Sequence, residues 1–360
     1  MENININEVL RNFDIEYSAN RYGNGHINDT YLVQSNEFIL QRINTNIFKN
    51  PYELMENIEN VTQFIRKKLV QSGGNPDRET LTVIRTADGK SCYKYDDHNY
   101  FRMYKFIKDT VTIENEKTNE ILLNAGRGFG NFQNLLDDFP VESLHETIVD
   151  FHNTPKRIEA LRKSVENDAA GRAGSVKKEI DFALSHADFA DAVVKGLKDK
   201  SIPTRVTHND TKINNILFDK NTLEAVCVID LDTVMPGSAL YDFGDALRMG
   251  ASTAAEDETD LEKVWFDEEA FKCFSNGYCQ EVGDKLTKAE KDLLYLAPRL
   301  MTYECGIRFL ADYLDGDTYF RIHRENHNLD RARNQFKLVA DMENKEKVMK
   351  NIVNELFERN

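Results

Sequence analysis

The stretch THNDTKINNILFD, residues 207–219, gathers His208, Asp210, Lys212 and Asn215 just before an apolar run. Asp210 and Asn215 stand five residues apart, so one tight loop can turn both side chains to the same side. The residue types suit phosphoryl transfer. A carboxylate such as Asp210 accepts the proton of an attacking hydroxyl, and Mg²⁺, a hard cation, takes oxygen ligands such as the Asn215 amide. A polar turn between a helix and a strand would use the same residue types.

The residues beyond this loop narrow the choice. Asn215–Phe218 reads as a short strand, 219–222 as a turn of turn-forming residues, and Ala225–Ile229 as a second strand ending at Asp230. A hairpin of that length sets Asp230 beside Asn215, with Asp210 near. Adjacent carboxylates repel unless a cation joins them, so Asn215 and Asp230 are the expected metal ligands. His208-x-Asp210-x-x-x-x-Asn215 matches the spacing of the protein-kinase catalytic loop. Asp242-Phe-Gly244 spells a second kinase motif, but the hairpin argument places Asp230 next to Asn215. Asp242 and Asp245 are expected to cap a helix beginning near Phe243.

The elements that must position these residues fall into two groups. Residues 1–108 read as strands with one helix. The strands are Thr30–Val33, Glu37–Gln41, Leu81–Ile84, Ser91–Tyr95 and Tyr100–Tyr104. Between them, Leu54, Ile58, Val61, Ile65 and Leu69 recur at helical spacing over 51–69. Residues 109–360 are mostly helical, with candidates at 118–136, 142–151, 155–165, 176–199, 267–282, 288–314 and 329–357. The junction falls near Lys108–Thr110. The expected fold class is α+β and bilobal, a β-rich N-lobe followed by a mainly α-helical C-lobe.

Composition bounds the partners. There are 61 acidic and 46 basic residues, a net charge of −15, which repels phosphate backbones and anionic membranes. Such a surface suits a cationic small molecule, although excess carboxylate serves solubility as well. The five Cys form no CxxC pair, and read as reduced thiols in a cytoplasmic protein. The start, MENININEVLRNF, lacks the basic flank and apolar stretch of a secretory signal.

The run V-T-H-N-D-T-K-x-N-N-I-L, followed by I-D-L-D-T-x-M-P-G-S and D-F-G-D, resembles the aminoglycoside phosphotransferase-like kinases. Within them it is most similar to the N-acetylhexosamine 1-kinases. The stretches Tyr22–Asn28, Tyr104–Ile107, Phe151–Pro155 and Glu304–Tyr313 agree, and the resemblance runs from about residue 20 to about 340. It implies a protein-kinase-like fold that holds ATP and Mg²⁺ between its lobes. It also implies transfer to the anomeric hydroxyl of N-acetylglucosamine or N-acetylgalactosamine. On this resemblance Asp210 is the base and Asn215 and Asp230 hold Mg²⁺. Lys212 stands where a cation reaches the γ-phosphate, or is a solvated loop lysine. The Tyr104-Lys105-Phe106-Ile107 hinge meets adenine, and Arg308 holds sugar hydroxyls, with Tyr319 beside it.

The pattern departs from the family in two places, and two further features have a plainer reading. The N-terminal turn Gly23-Asn24-Gly25-His26 lacks a third glycine two residues beyond His26, where Asn28 stands. Its backbone, and the His26 ring, are offered to phosphate or sugar. The strand that should carry a phosphate-binding Lys reads Phe38-Ile-Leu-Gln41-Arg42-Ile43. Gln41 or Arg42 replaces the Lys; alternation lets only one face the nucleotide, and the resemblance favours Gln41, with Glu59 as partner. Gly126-Arg-Gly128-Phe-Gly130 sits inside a helical pattern and reads as close helix packing rather than a phosphate loop. Arg308 lies four residues from both Glu304 and Asp312, the spacing of a surface ion-pair ladder. Two other readings remain: another small-molecule kinase of this fold, acting on an aminoglycoside, choline or methylthioribose, or a pseudokinase lacking transfer activity.

Overall fold

The computed structural model describes residues 4–16, 18–22, 28–33, 36–114 and 116–358. The chain forms two compact units. One takes Met1–Ile113, Leu135–Val149 and Asn215–Pro236; the other takes Glu114–Asn134, Asp150–Asn214 and Gly237–Asn360.

The first unit is built on an antiparallel sheet. Strand Asp29–Val33 pairs with Phe38–Asn44, which in turn pairs along its whole length with Asn99–Lys105. Val83–Ile84 and Tyr93–Lys94 are shorter than the strands expected there, and both lie against Asn99–Lys105. Alternation sends Val33, Leu40, Phe101 and Met103 into one core, where they meet Val9, Leu10 and Phe13. Val9 and Leu10 come from a helix, Ile6–Arg11, too short for a 3.6-residue period to show. Helix Pro51–Ser72 does follow its period. Leu54, Ile58, Val61, Ile65 and Leu69 are all buried, Asn50 caps the start through its side chain, and Gly73 ends it at φ 80°.

The same unit contains the expected hairpin. Ile216–Asp219 pairs antiparallel with Ala225–Val228 across a bulge, and Thr110–Val111 joins on the other side. The helix expected over Glu142–Phe151 is absent. A single 3-10 turn, Val141–Ser143, stands there. The reason is tertiary: the buried Asn57 side chain donates to His145 O and accepts from His145 N, each at 2.8 Å. Those backbone groups are thereby satisfied outside any helix.

The second unit is helical. Ala297–Leu314 packs against Ala239–Gly250, Thr154–Asn167 and His327–Asn344. Gly244 permits one of these approaches, since a Cβ there would lie 2.4 Å from Ala297 O. Gly126, inside helix Asn119–Leu135, permits another: its Cβ would meet Phe274 O at 2.1 Å. The second glycine run is therefore a packing device. The long helices expected over 176–199, 288–314 and 329–357 are each broken into two. Among the described residues no helix is long and apolar enough to cross a membrane. All five Cys are free, and Cys92, Cys227 and Cys279 are buried.

Candidate active site

In the second unit, strand Arg205–Thr207 delivers the chain to His208–Thr211, which is held from several sides. Asp242 Oδ2 accepts the backbone N–H of His208 at 2.9 Å, and Oδ1 that of Asn209 at 2.8 Å. Gln133 Nε2 donates to Asp242 Oδ2 and to Val206 O, both at 2.9 Å. Thr211 N–H donates to Asp245 Oδ2 at 3.1 Å, and its hydroxyl to Asp242 O at 2.6 Å. The His208 ring, fully buried, lies edge-on to Phe129 and Phe132, and its Nδ1 accepts the Asp210 N–H at 3.2 Å. The expected capping role of Asp242 and Asp245 is corrected. The helix starts at Ala239 with Ser238 as its cap, and both carboxylates reach across to the loop. Burial pushes the Asp242 carboxyl up, against the opposing pull of His208 and the N–H donors.

Asp210 and Lys212 stand together, Nζ to Oδ1 at 2.8 Å. Burial alone would raise the Asp210 carboxyl; the Lys212 ammonium outweighs it, with His208 and Arg248 adding to the effect, and the net direction is down. Lys212 is shifted up by the same pairing, against its own desolvation. Asp210 is thus held as the anion a proton acceptor must be.

Further along this unit, Arg308 does not join the ladder its spacing suggests. Glu304 is buried and accepts from Thr154 Oγ1 at 2.6 Å, with His152 Nδ1 at 2.8 Å. Asp312 accepts the backbone N–H of Thr318, Tyr319 and Phe320 at 2.9, 2.7 and 2.9 Å. That grip presents Tyr319 and Phe320 to Arg308, whose Cζ lies 5.9 and 5.4 Å from their ring centroids and 5.9 Å from Phe151.

In the first unit, Ile229 N–H donates to Asn215 O at 2.9 Å, so the hairpin brings Asn215 and Asp230 to neighbouring positions. Asp230 is left-handed, φ 59° and ψ 56°, at the entry to the 3-10 turn Leu231–Thr233. Among the described residues no three His, Cys, Asp or Glu side chains gather as a metal site. One Asn and one Asp oxygen are a donor set that fits Mg²⁺ shared with phosphate oxygens.

Gln41 and Arg42 point to opposite partners. Arg42 takes Asp29 at 2.7 Å and Asn99 at 3.1 Å. Gln41 Oε1 accepts from Arg102 Nε and Nη2 at 3.0 and 2.9 Å, directly across the ladder. Arg102 is 1% exposed and forms an ion pair with Asp232, which also accepts from Asn28 Nδ2 at 2.7 Å. Glu59 does not meet Gln41; it pairs with Arg85 at 2.7 Å. Arg102 and Asp232 escaped the sequence reading. Their signals were a lone Arg inside the apolar run Tyr-Phe-Arg-Met-Tyr and a second Asp two residues beyond Asp230.

In the segment expected to be the hinge, Tyr104 is buried, Lys105 N–H donates to Thr82 O at 3.0 Å, and Phe106 N–H donates to Glu37 O at 2.8 Å. Ile107 O accepts the Thr110 hydroxyl at 2.9 Å. Gly23, Asn24, Gly25 and His26 lie outside the described residues.

Comparison with known proteins agrees with this architecture. The fold is similar to a microcompartment-associated aminopropanol kinase, at 18% identity and TM-score 0.64, covering 96% of this chain and 98% of that one. It is also similar to an aminoglycoside phosphotransferase from Alicyclobacillus acidocaldarius, at 11% identity and TM-score 0.58, covering 100% and 98%. A third is a spectinomycin phosphotransferase in complex with ADP and spectinomycin, at 15% identity and TM-score 0.57, covering 95% and 97%. A family model described as the phosphotransferase enzyme family matches residues 18–270. With that match over most of its length, and with the loop, hairpin and sheet of a kinase-like fold, the chain belongs to the phosphotransferase enzyme family.

Proposed function

We propose that the protein transfers the γ-phosphoryl group of ATP to the anomeric C1 hydroxyl of an N-acetylhexosamine, giving the sugar 1-phosphate. Asp210 accepts the proton of that hydroxyl as its oxygen bonds to phosphorus and the bond to ADP breaks. Lys212 holds Asp210 in its anionic form and offers a cation toward transferred phosphate. Asn215 and Asp230 would hold Mg²⁺, which supplies charge neutralisation to the phosphates when bound. Gln41, Tyr104, Lys105 and Phe106 shape the nucleotide site, with Gly23, Asn24 and Gly25 over the phosphates. Lys105 and Phe106 have spent their N–H groups on Thr82 and Glu37, so the Ile107 N–H is the hinge donor left for adenine. Glu59, whose carboxyl is pushed up by burial against the opposing pull of Arg85, is a further candidate for that region.

The observation that carries the sugar assignment is Arg308. Among the described residues its guanidinium faces three aromatic rings and forms no close ion pair with a carboxylate, although its charge acts on Glu304; that leaves its N–H donors for hydroxyl and acetamido oxygens. Tyr319 is 66% exposed beside it, and His26 is the further candidate contact. The acceptor panel tests this reading: ADP release with Mg-ATP and N-acetylglucosamine, N-acetylgalactosamine, glucose, galactose, an aminoglycoside or choline. The 1-O-methyl glycoside of N-acetylglucosamine is the control. Turnover that vanishes with the methyl glycoside supports transfer to C1; turnover that persists refutes it.

A second reading, a kinase for an amine-bearing alcohol, is favoured by the similar folds. Those include an aminopropanol kinase and an ethanolamine kinase from Plasmodium vivax.

A further inference from the structure

Two departures from the family pattern meet at one buried pair. Gln41 stands where kinases of this fold carry a phosphate-binding Lys, and Asn28 where the third glycine of the N-terminal turn is expected. Gln41 is bonded to Arg102 and Asn28 to Asp232. Phe101 and Met103 point into the core, so alternation sends Arg102 to the other face of its strand, directly opposite Gln41. A guanidinium only donates. Its Nε and Nη2 therefore fix Oε1 of Gln41 toward Arg102, at 3.0 and 2.9 Å, and turn the amide nitrogen the other way. That nitrogen gives one N–H to Thr30 Oγ1 at 3.3 Å and keeps a second for a ligand.

The other end of Arg102 meets Asp232. Asp232 Oδ2 accepts from Asn28 Nδ2 at 2.7 Å, and Asn28 Oδ1 accepts the Asn44 N–H at 3.0 Å. Asp232 lies inside the 3-10 turn Leu231–Thr233, whose entry residue is the left-handed Asp230. Holding Asp232 thus fixes the backbone from which the Asp230 side chain departs. Burial opposes the Arg102 charge; Asp232, with Tyr104 and Asp230 adding, outweighs it and moves the Arg102 pKa up. Arg102 and Asp232 cancel in charge, and Asn28, Gln41 and Asn215 are neutral. The charge left to this group is that of Asp230, the sign a divalent cation needs.

We propose that Arg102 and Asp232 are positioning residues for nucleotide binding: one buried pair aims the Gln41 amide and fixes the turn that presents Asp230. The Lys of a protein kinase links its strand to a helix through a Glu. Arg102 instead links its strand to the turn that follows Asp230. The inference rests on the reading that Asn215 and Asp230 hold the metal and that Gln41 borders the phosphates.

The test is calorimetric binding of ATP to the full chain, once with Mn²⁺ and once with EDTA, and needs no acceptor. Asp232→Asn is expected to weaken Mn²⁺-ATP binding by at least about tenfold, as loss of a group behind a metal ligand does, and to leave metal-free ATP binding within about threefold of wild type. Arg102→Lys keeps the charge but cannot span Gln41 and Asp232 together. It is expected to weaken ATP binding with and without metal by about three- to tenfold, the worth of one hydrogen bond. A merely structural pair would lower the unfolding midpoint of both variants and leave ATP affinity unchanged. Should one variant fail to fold, the other decides, together with Asn28→Ala. That change removes one donor from Asp232 and should weaken Mn²⁺-ATP binding about threefold. Asp230→Asn checks the underlying reading, since Asn tolerates a left-handed backbone, and should abolish the affinity gained from Mn²⁺. If that gain survives Asp230→Asn, the metal reading falls, and with it the Asp232 half of the proposal. If Asp230→Asn abolishes the gain while folded Asp232→Asn and Arg102→Lys bind Mn²⁺-ATP as wild type does, the metal reading stands and the proposal is overturned.

Discussion

Asp242 accepts the backbone N–H of His208 and of Asn209 with its two carboxylate oxygens, at 2.9 and 2.8 Å. The aspartate of the DFG-like triplet therefore acts on the loop that carries Asp210. It does so from a helix packed behind that loop, a helix that Ser238 caps. Replacing it by Asn sets an amide N–H against one of two N–H donors. Asp242→Asn should lower stability by about 2–4 kcal/mol and kcat by at least about tenfold, with a smaller change in KM. Urea unfolding and steady-state kinetics check both.

Asp210 and Lys212 form a partly exposed pair, so their loss should spare the fold. Asp210→Ala should cut kcat by roughly 10²–10⁴ while the unfolding midpoint stays close to wild type. Near-normal turnover in a folded Asp210→Ala protein would end its assignment as base. Lys212→Ala should lower kcat less and shift the acid limb of the kcat profile upward, because the Asp210 carboxyl loses what holds it down.

Arg102 and Asp232 are a buried ion pair, 1% and 4% exposed. Arg102→Met leaves a buried carboxylate without its cation and should cost about 3–5 kcal/mol. Arg102→Met combined with Asp232→Asn should recover part of that loss. A double-mutant cycle by chemical unfolding measures the coupling; strict additivity would mean the pair contributes nothing as a pair.

Glu304 gives the acid side of the stability curve. Burial opposes its ionisation, but His152, Arg308 and Thr154 outweigh this and hold its carboxyl below 4.5. A folded-state pKa below the unfolded value contributes stability that is present above about pH 4.5 and is lost as pH falls through the folded value. Wild type should lose stability on acidification below about pH 5 more steeply than Glu304→Gln, which is less stable at neutral pH. Parallel curves from neutral pH down to about pH 3 would contradict this.

Gly126→Ala should cost about 1–3 kcal/mol or more, because its Cβ would lie 2.1 Å from Phe274 O. Gly174→Ala, with nothing within 4 Å of its Cβ, should stay within about 0.5 kcal/mol of wild type. Thermal unfolding of both compares them directly.

The sequence by itself determined the features that local chemistry encodes. Helix Pro51–Ser72 arises from five apolar residues at one spacing and caps at both ends. The hairpin of Ile216–Asp219 with Ala225–Val228 arises from two short apolar runs and a turn between them. The loop motif needs only five residues of chain to set Asp210 near Asn215 in sequence. Tertiary structure decided the partners of buried polar groups. Asn57 turned an expected helix into a loop by taking both backbone groups of His145. Asp242 changed from a cap to a clamp, Gln41 met Arg102 instead of Glu59, and Glu304 and Asp312 were drawn away from Arg308. Periodicity says which face of an element is buried, but a buried donor or acceptor must be satisfied by whatever group the packing brings to it. That group is set by the fold as a whole, and often lies far away along the chain.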